Sequence, residues 1–258
     1  MKTLQSEPFE CIVGNWPPRD SVPDLLFIHG AGLSKRLWEA QIEDLKDISN
    51  PVALDLPGHG NSAGPGKDSI AAYADDVLHF IREAGLSQSN LVLCGMSMGG
   101  AVVQQLLIAH PERFKAGILV NTGARLKVLP VIFETVNTDF EGLIRNIPAM
   151  SLSPATDRSQ FEEQILDFSS QCDARTAIQD FTACNAFDVM AQIPSITCPV
   201  LVLSAEHDLS TPPKYGLWLK QNLKNAEHVH VDNAGHFSMI EKADVVNTAI
   251  RKFLEVLS

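Results

Sequence analysis

Leu91-Val92-Leu93-Cys94-Gly95-Met96-Ser97-Met98-Gly99-Gly100-Ala101-Val102-Val103 is the stretch whose reading decides the fold. Its first four residues form an unbroken apolar run, the pattern of a strand buried on both faces. From Ala101 to His110 good helix formers follow, and Pro111 stops them. Between the two lies Gly95-Met96-Ser97-Met98-Gly99, a serine flanked by glycines where a strand turns sharply into a helix. That is the nucleophile-elbow pattern. The glycines are demanded by crowding: two residues before and two after the serine, neighbouring backbone leaves no room for a Cβ. The pentapeptide gains meaning only if the rest of the chain supplies a base and an acid.

Working outward, short apolar runs alternate with helical patterns. Residues 9–13 read as a short edge strand, and residues 25–28 as the first core strand. It ends in His29-Gly30-Ala31-Gly32, followed by a helix seeded by Trp38 and running to about residue 48. A strand over 52–54 opens into Asp55-Leu56-Pro57-Gly58-His59-Gly60-Asn61-Ser62, a loop by composition. Asp68 is placed to cap a helix carrying Ile70, Tyr73, Ala74, Val77, Leu78 and Ile81, with Gly85 at its end. After the elbow, residues 116–120 form another buried strand. The alternation implies a mostly parallel central sheet flanked by helices.

The pattern breaks after Asn121-Thr122-Gly123. Residues 125–194 carry helical segments near 128–136, 140–147, 161–172 and 174–187, and no strand. Alternation resumes with a strand over 199–203, a helix over 212–223, a last strand over 226–231 and a closing helix from 239 to 257. The expected organisation is therefore a core of residues 1–124 and 195–258 with an all-helical cap, 125–194, inserted over the carboxyl ends of the strands. The phenylalanines of that segment, such as Phe133, Phe168 and Phe187, are spaced for helix packing.

The chain has 258 residues, 45% of them hydrophobic, and a formal net charge of −11. This acidic balance opposes binding to nucleic acid or to anionic membranes. No stretch approaches the roughly 18 apolar residues of a membrane span, and residues 1–8 show no secretory signal pattern. Five cysteines, none at CxxC spacing, suggest reduced thiols in a cytoplasmic protein rather than a disulfide framework or zinc site. No metal or cofactor is called for.

A serine hydroxyl needs an adjacent base, itself oriented by an acid. The loop after residue 203 supplies Glu206, His207 and Asp208, and the loop after residue 231 supplies Asp232 and His236. Asp208 is preferred to Glu206 because it heads the loop before Pro212. Asp232 directly follows its strand, which suits a brace. His228 and His230 lie within a strand, so His236 is the better base. His29 and His59 suit structural roles in their loops.

At this point the sequence resembles α/β-hydrolase-fold proteins with a helical cap, the branch of carboxylesterases, cofactor-free haloperoxidases and carbon–carbon hydrolases. The resemblance rests on 29–32, 55–62, 95–100, 199–208 and 235–237. It implies Ser97 as nucleophile, His236 as base and Asp208 as the orienting acid. It also implies an oxyanion hole from the backbone N–H groups of Met98 and Ala31. The implied activity is hydrolysis of a carboxylic ester, thioester or lactone of a small acyl substrate. A cofactor-free lyase or carbon–carbon hydrolase on the same triad is the alternative, and a catalytically silent receptor is a third class. Gly30 and Trp38 are candidate pocket residues. Arg36 and Arg125 are candidates for a substrate carboxylate, weighed against salt bridges between cap and core, which are preferred. A monomer or a homodimer is expected.

Overall fold

A computed structural model describes residues 1–6 and 8–257. Its strands are β1 (Lys2–Ser6), β2 (Phe9–Val13), β3 (Asp24–Ile28), β4 (Asn50–Leu54), β5 (Leu91–Met96), β6 (Ala116–Val120), β7 (Val200–Ala205) and β8 (Ala226–Val231). They form one sheet in the order β1-β2-β4-β3-β5-β6-β7-β8. From β4 through β8 every neighbouring pair is parallel, while β1–β2 and β2–β4 are antiparallel.

The helices are α1 (Glu39–Leu45), α2 (Ile70–Glu83), α3 (Met98–Ala109), α4 (Pro130–Thr138), α5 (Phe140–Ser151), α6 (Glu162–Ser169), α7 (Ala174–Ala186), α8 (Pro213–Asn222), α9 (Ser238–Glu241) and α10 (Ala243–Val256). Successive strand residues point to opposite faces, so the sheet builds two cores. Leu26, Ile28, Leu93 and Val202 pack with Val77, Ile81 and Val103 on one side. Leu25, Phe27, Cys94 and Leu203 pack with Trp38, Ile42 and Phe253 on the other. This is why the strands read as continuous apolar runs rather than as alternating ones.

Several sequence expectations need correction. Residues 9–13 are not at the sheet edge: β2 is fully buried, and β1 covers it. β1 escaped notice because its Lys-Thr-Leu-Gln-Ser stretch is largely exposed. The cap of α2 is Ser69, which has extended backbone and accepts from Ala72 N–H, rather than its neighbour Asp68. The helix seeded by Trp38 is a 3₁₀ turn over Lys35–Trp38 followed by α1, which ends at Leu45. There the Ile48 and Ser49 N–H groups both fold back onto the Leu45 carbonyl. Between β6 and β7 lie α4 to α7 and no strand.

Candidate active site

Ser97 sits at the corner between β5 and α3 with φ 54° and ψ −116°, a conformation costly for a residue with a Cβ, on the order of 1–3 kcal/mol. Its neighbours hold it there. The Ser97 N–H donates to the Val120 carbonyl at 3.1 Å, and the Thr122 hydroxyl donates to the Ser97 carbonyl at 2.8 Å. The expected crowding is real. A Cβ on Gly95 would stand 2.2 Å from the Gly99 carbonyl oxygen, and one on Gly99 would stand 2.2 Å from that of Ile28. Ser97 itself stays partly exposed.

His236 follows β8, and its ring Nδ1 lies 2.8 Å from Asp208 Oδ2, in the loop after β7. With a carboxylate facing Nδ1, that nitrogen carries the proton and Nε2 is left as the acceptor. Asp208 is almost completely buried and saturated with donors: the Ser210 and Thr211 N–H groups on Oδ1, and the Thr211 hydroxyl on Oδ2 at 2.8 Å. Of the three acids considered, it alone meets His236. Glu206 is exposed and accepts from Asn233 N–H, and Asp232 lies beside His230. His228 bonds Ser204 within the sheet, and His207 bonds Ser153.

Two side chains fix the His236 loop, and neither was anticipated. The Asn121 amide, just past β6, donates to the His236 carbonyl and to the Ser238 hydroxyl, both at 2.9 Å. Asn121 has φ 44°, a region that asparagine tolerates better than most residues. Glu241 accepts from Gly235 N–H through Oε1 and from Ser153 N–H and the Thr156 hydroxyl through Oε2. Thus the loop carrying His236 is tied to β6 and to the segment just after α5.

The turn after β3 faces the elbow: a Cβ on Gly30 would lie 3.4 Å from Ser97 Cβ and 2.9 Å from Met96 Sδ. His29 is fully buried; its Nδ1 donates to the Gly30 carbonyl at 2.8 Å and its Nε2 accepts from Leu56 N–H at 3.1 Å. One donor and one acceptor make it a neutral ring. Burial, and then the neighbouring His59 charge, hold its pKa well below the usual value. His59, with its ring centroid 4.7 Å away, faces only acceptors: the Pro57 carbonyl at 3.1 Å and Asp180 Oδ2 at 2.8 Å. Burial favours its neutral form, but the Asp180 carboxylate outweighs that and raises its pKa. Farther along, the buried Lys35 ammonium bridges Glu10 at 2.6 Å and Asp55 at 2.5 Å, fastening this turn to the end of β4.

Ala31, next in chain after Gly30, is partly exposed, and Met98 is the first residue of α3, so its N–H has no acceptor within the helix. Trp38 must be corrected as a pocket candidate. It is fully buried, with its ring 4.8 Å from that of Phe27, because the 3₁₀ turn directs it into the sheet. Arg36 pairs with Glu39 at 3.0 Å and with Asp167 of α6 at 2.5 Å, while Arg125 pairs with Asp188 at 2.7 Å. Both guanidinium groups are thus engaged by carboxylates of the protein. The five cysteines are free thiols. Among the described residues no helix is long and apolar enough to cross a membrane.

A strand order reversing around β3, a serine on a strained strand-to-helix turn and an acid–histidine pair from later loops define the class. The family model of the alpha/beta hydrolase fold matches residues 23–243, and the chain belongs to that family. Its similarity to 3-oxoadipate enol-lactonase 2 of Acinetobacter baylyi is 27% identity over 251 residues, covering 90% of this chain and 89% of that one. It is also 26% identical over 249 residues to pimeloyl-[acyl-carrier protein] methyl ester esterase of Neisseria meningitidis serogroup B, covering 92% and 94%. Among solved structures, the enol-lactonase of Burkholderia xenovorans LB400 superposes with a TM-score of 0.88 at 24% identity, over 98% of this chain and all of that one. That likeness establishes the fold.

Proposed function

We propose that the protein is a serine hydrolase that cleaves a carboxylic ester, thioester or lactone of a small acyl substrate. The observation that carries this reading is the Asp208–His236 contact of 2.8 Å, tied through Asn121 to the strand end that also receives the Ser97 N–H. In this mechanism Ser97 Oγ attacks the substrate carbonyl carbon while its proton passes to His236 Nε2. The N–H groups of Ala31 and Met98 receive the negative charge that develops on the carbonyl oxygen. Collapse breaks the carbon–oxygen or carbon–sulfur bond, and the leaving group takes the proton from His236. Water, deprotonated by the same ring, then hydrolyses the acyl-Ser97 ester and regenerates the enzyme. Asp208 keeps Nδ1 protonated and stabilises the imidazolium that forms twice per cycle.

Two of the relatives carry names that describe an ester and an enol-lactone as substrates, and both chains match this one over most of their length. Residues 125–194 act as a cap that shapes the acyl site. The free thiols and acidic charge fit a cytoplasmic setting. A lyase or carbon–carbon hydrolase would gain support from a pocket arginine, and both candidate arginines are paired elsewhere.

The test is covalent labelling with a fluorophosphonate probe, mapped by peptide mass spectrometry. Modification of Ser97, lost in Ser97→Ala, is the expected result; modification at another residue would remove Ser97 from its role.

A further inference from the structure

α7 carries an anomaly. Its buried stripe is Thr176, Ala177, Asp180, Ala183 and Cys184, four small residues around one fully buried carboxylate. The helix has no need of that charge, since its cap is Asp173, which accepts from Thr176 N–H at 2.8 Å. Every bond that Asp180 makes goes to the other side of the interface. Oδ2 accepts from the Gly32 N–H and from His59 Nε2, each at 2.8 Å, and Oδ1 accepts from the Tyr73 hydroxyl. An alanine would pack there without the desolvation penalty of a charge, so the carboxylate needs another reason to be present.

The peptide geometry supplies one. The Gly30 carbonyl and the Ala31 N–H belong to a single planar unit and point in opposite directions. The His29 Nδ1 bond to that carbonyl therefore aims the Ala31 N–H. Asp180 braces this unit twice. It fixes the following peptide through Gly32 N–H, and it holds His59, whose ring lies against His29.

We propose that Asp180 is a positioning residue for the oxyanion turn, so that the Ala31 N–H is aimed only while α7 is docked on the core. This rests on the esterase reading above. Assembly of the site is thereby made conditional on the helical segment: lifting α7 would withdraw the acceptor of Gly32 and the counter-charge of His59 together.

The experiment measures kcat and KM of wild type, Asp180→Ala and Asp180→Asn on p-nitrophenyl acetate, with active sites counted by fluorophosphonate titration to the end point. If Asp180 only stabilised the fold, the variants would hold fewer titratable sites, each turning over at the wild-type rate. Positioning instead lowers kcat per titrated site about 100-fold in Asp180→Ala, near the loss of one oxyanion donor, with KM little changed. Asp180→Asn, which can still accept from Gly32 N–H, should recover part of that loss. A per-site kcat within about two-fold of wild type in Asp180→Ala, or in Asp180→Asn should the alanine variant not fold, overturns the proposal. Absence of Ser97 labelling in the wild type would instead sink the esterase reading beneath it.

Discussion

The Asn121 side-chain amide hydrogen-bonds the carbonyl of His236 at 2.9 Å, joining the end of β6 to the loop after β8. Because Ser97 N–H bonds the adjacent Val120 carbonyl, one short piece of backbone registers both the serine and the histidine. Asn121→Asp keeps the shape but places an oxygen against the His236 carbonyl at 2.9 Å and the Gly235 carbonyl at 3.4 Å. It should lower kcat about 100-fold, the scale of a misplaced catalytic group, with KM near wild type. Initial rates on a neutral p-nitrophenyl ester check this, and an unchanged kcat would separate Asn121 from the orientation of His236.

Asp208 and Glu206 differ in what they touch, so their amides should differ in effect. Asp208→Asn removes the charge beside His236 and favours the wrong tautomer, which costs on the order of 10⁴-fold in kcat. Glu206→Gln retains an acceptor for Asn233 N–H and should be nearly silent. Comparison of the two variants on one ester decides the matter, and the reverse ranking would move the acid to Glu206.

Arg36→Ala and Arg125→Ala should leave KM unchanged for both a neutral ester and one bearing a free carboxylate, since each guanidinium is neutralised by protein carboxylates. A rise in KM confined to the charged ester would restore a substrate role to the arginine concerned.

Trp38→Ala empties a fully buried site beside Phe27, and should cost about 3–5 kcal/mol in urea unfolding. Trp38→Phe should cost much less, because it also deletes an indole N–H that is buried without an acceptor. A larger effect on KM than on stability would return Trp38 to the acyl pocket.

The two neighbouring histidines, His29 and His59, give stability a pH dependence of known sign. His29 has its pKa depressed on folding, so its contribution is present above the unfolded value of about 6.5 and is lost as pH falls below it. His59 has its pKa raised, so its contribution is complete below that value and fades only as pH rises through the folded one. Below about pH 6, where the unfolded histidines are mostly charged, His59 adds little slope, and His29 makes stability fall with falling pH by at most about 1.4 kcal/mol per pH unit. Half-buried His228, also depressed, adds a smaller amount of the same sign. Urea titrations over this window should flatten in His29→Gln; an equal slope in that variant would place the proton uptake elsewhere.

The sequence showed what is local or ordered along the chain. The Asp208–His236 contact was legible because each residue stands just past a recognisable apolar strand, in a fixed order after the Ser97 turn. The sheet was legible for the same reason, apart from β1, whose polar residues carry no burial pattern. Side-chain direction was not legible: Trp38 sits near the turn at residues 30–32 in sequence, yet a 3₁₀ turn points it into the core. Nor were single polar residues that act across long separations, such as Asn121, Thr211 and Glu241. Asp180 left one readable trace, a carboxylate in the middle of a helix's small apolar stripe, where a solvated charge would not belong.

α3 begins directly behind Ser97, runs for 12 residues, and has no acidic residue in its first turn to offset its amino end. The aligned peptide dipoles of such a helix place about half a positive charge at its start. That field belongs to backbone, so no side-chain substitution at Ser97, His236 or Asp208 removes it. A chain stripped of all three side chains would still present an electropositive corner to a polarised carbonyl, and a water molecule there would meet a weakened ester bond rather than an inert surface.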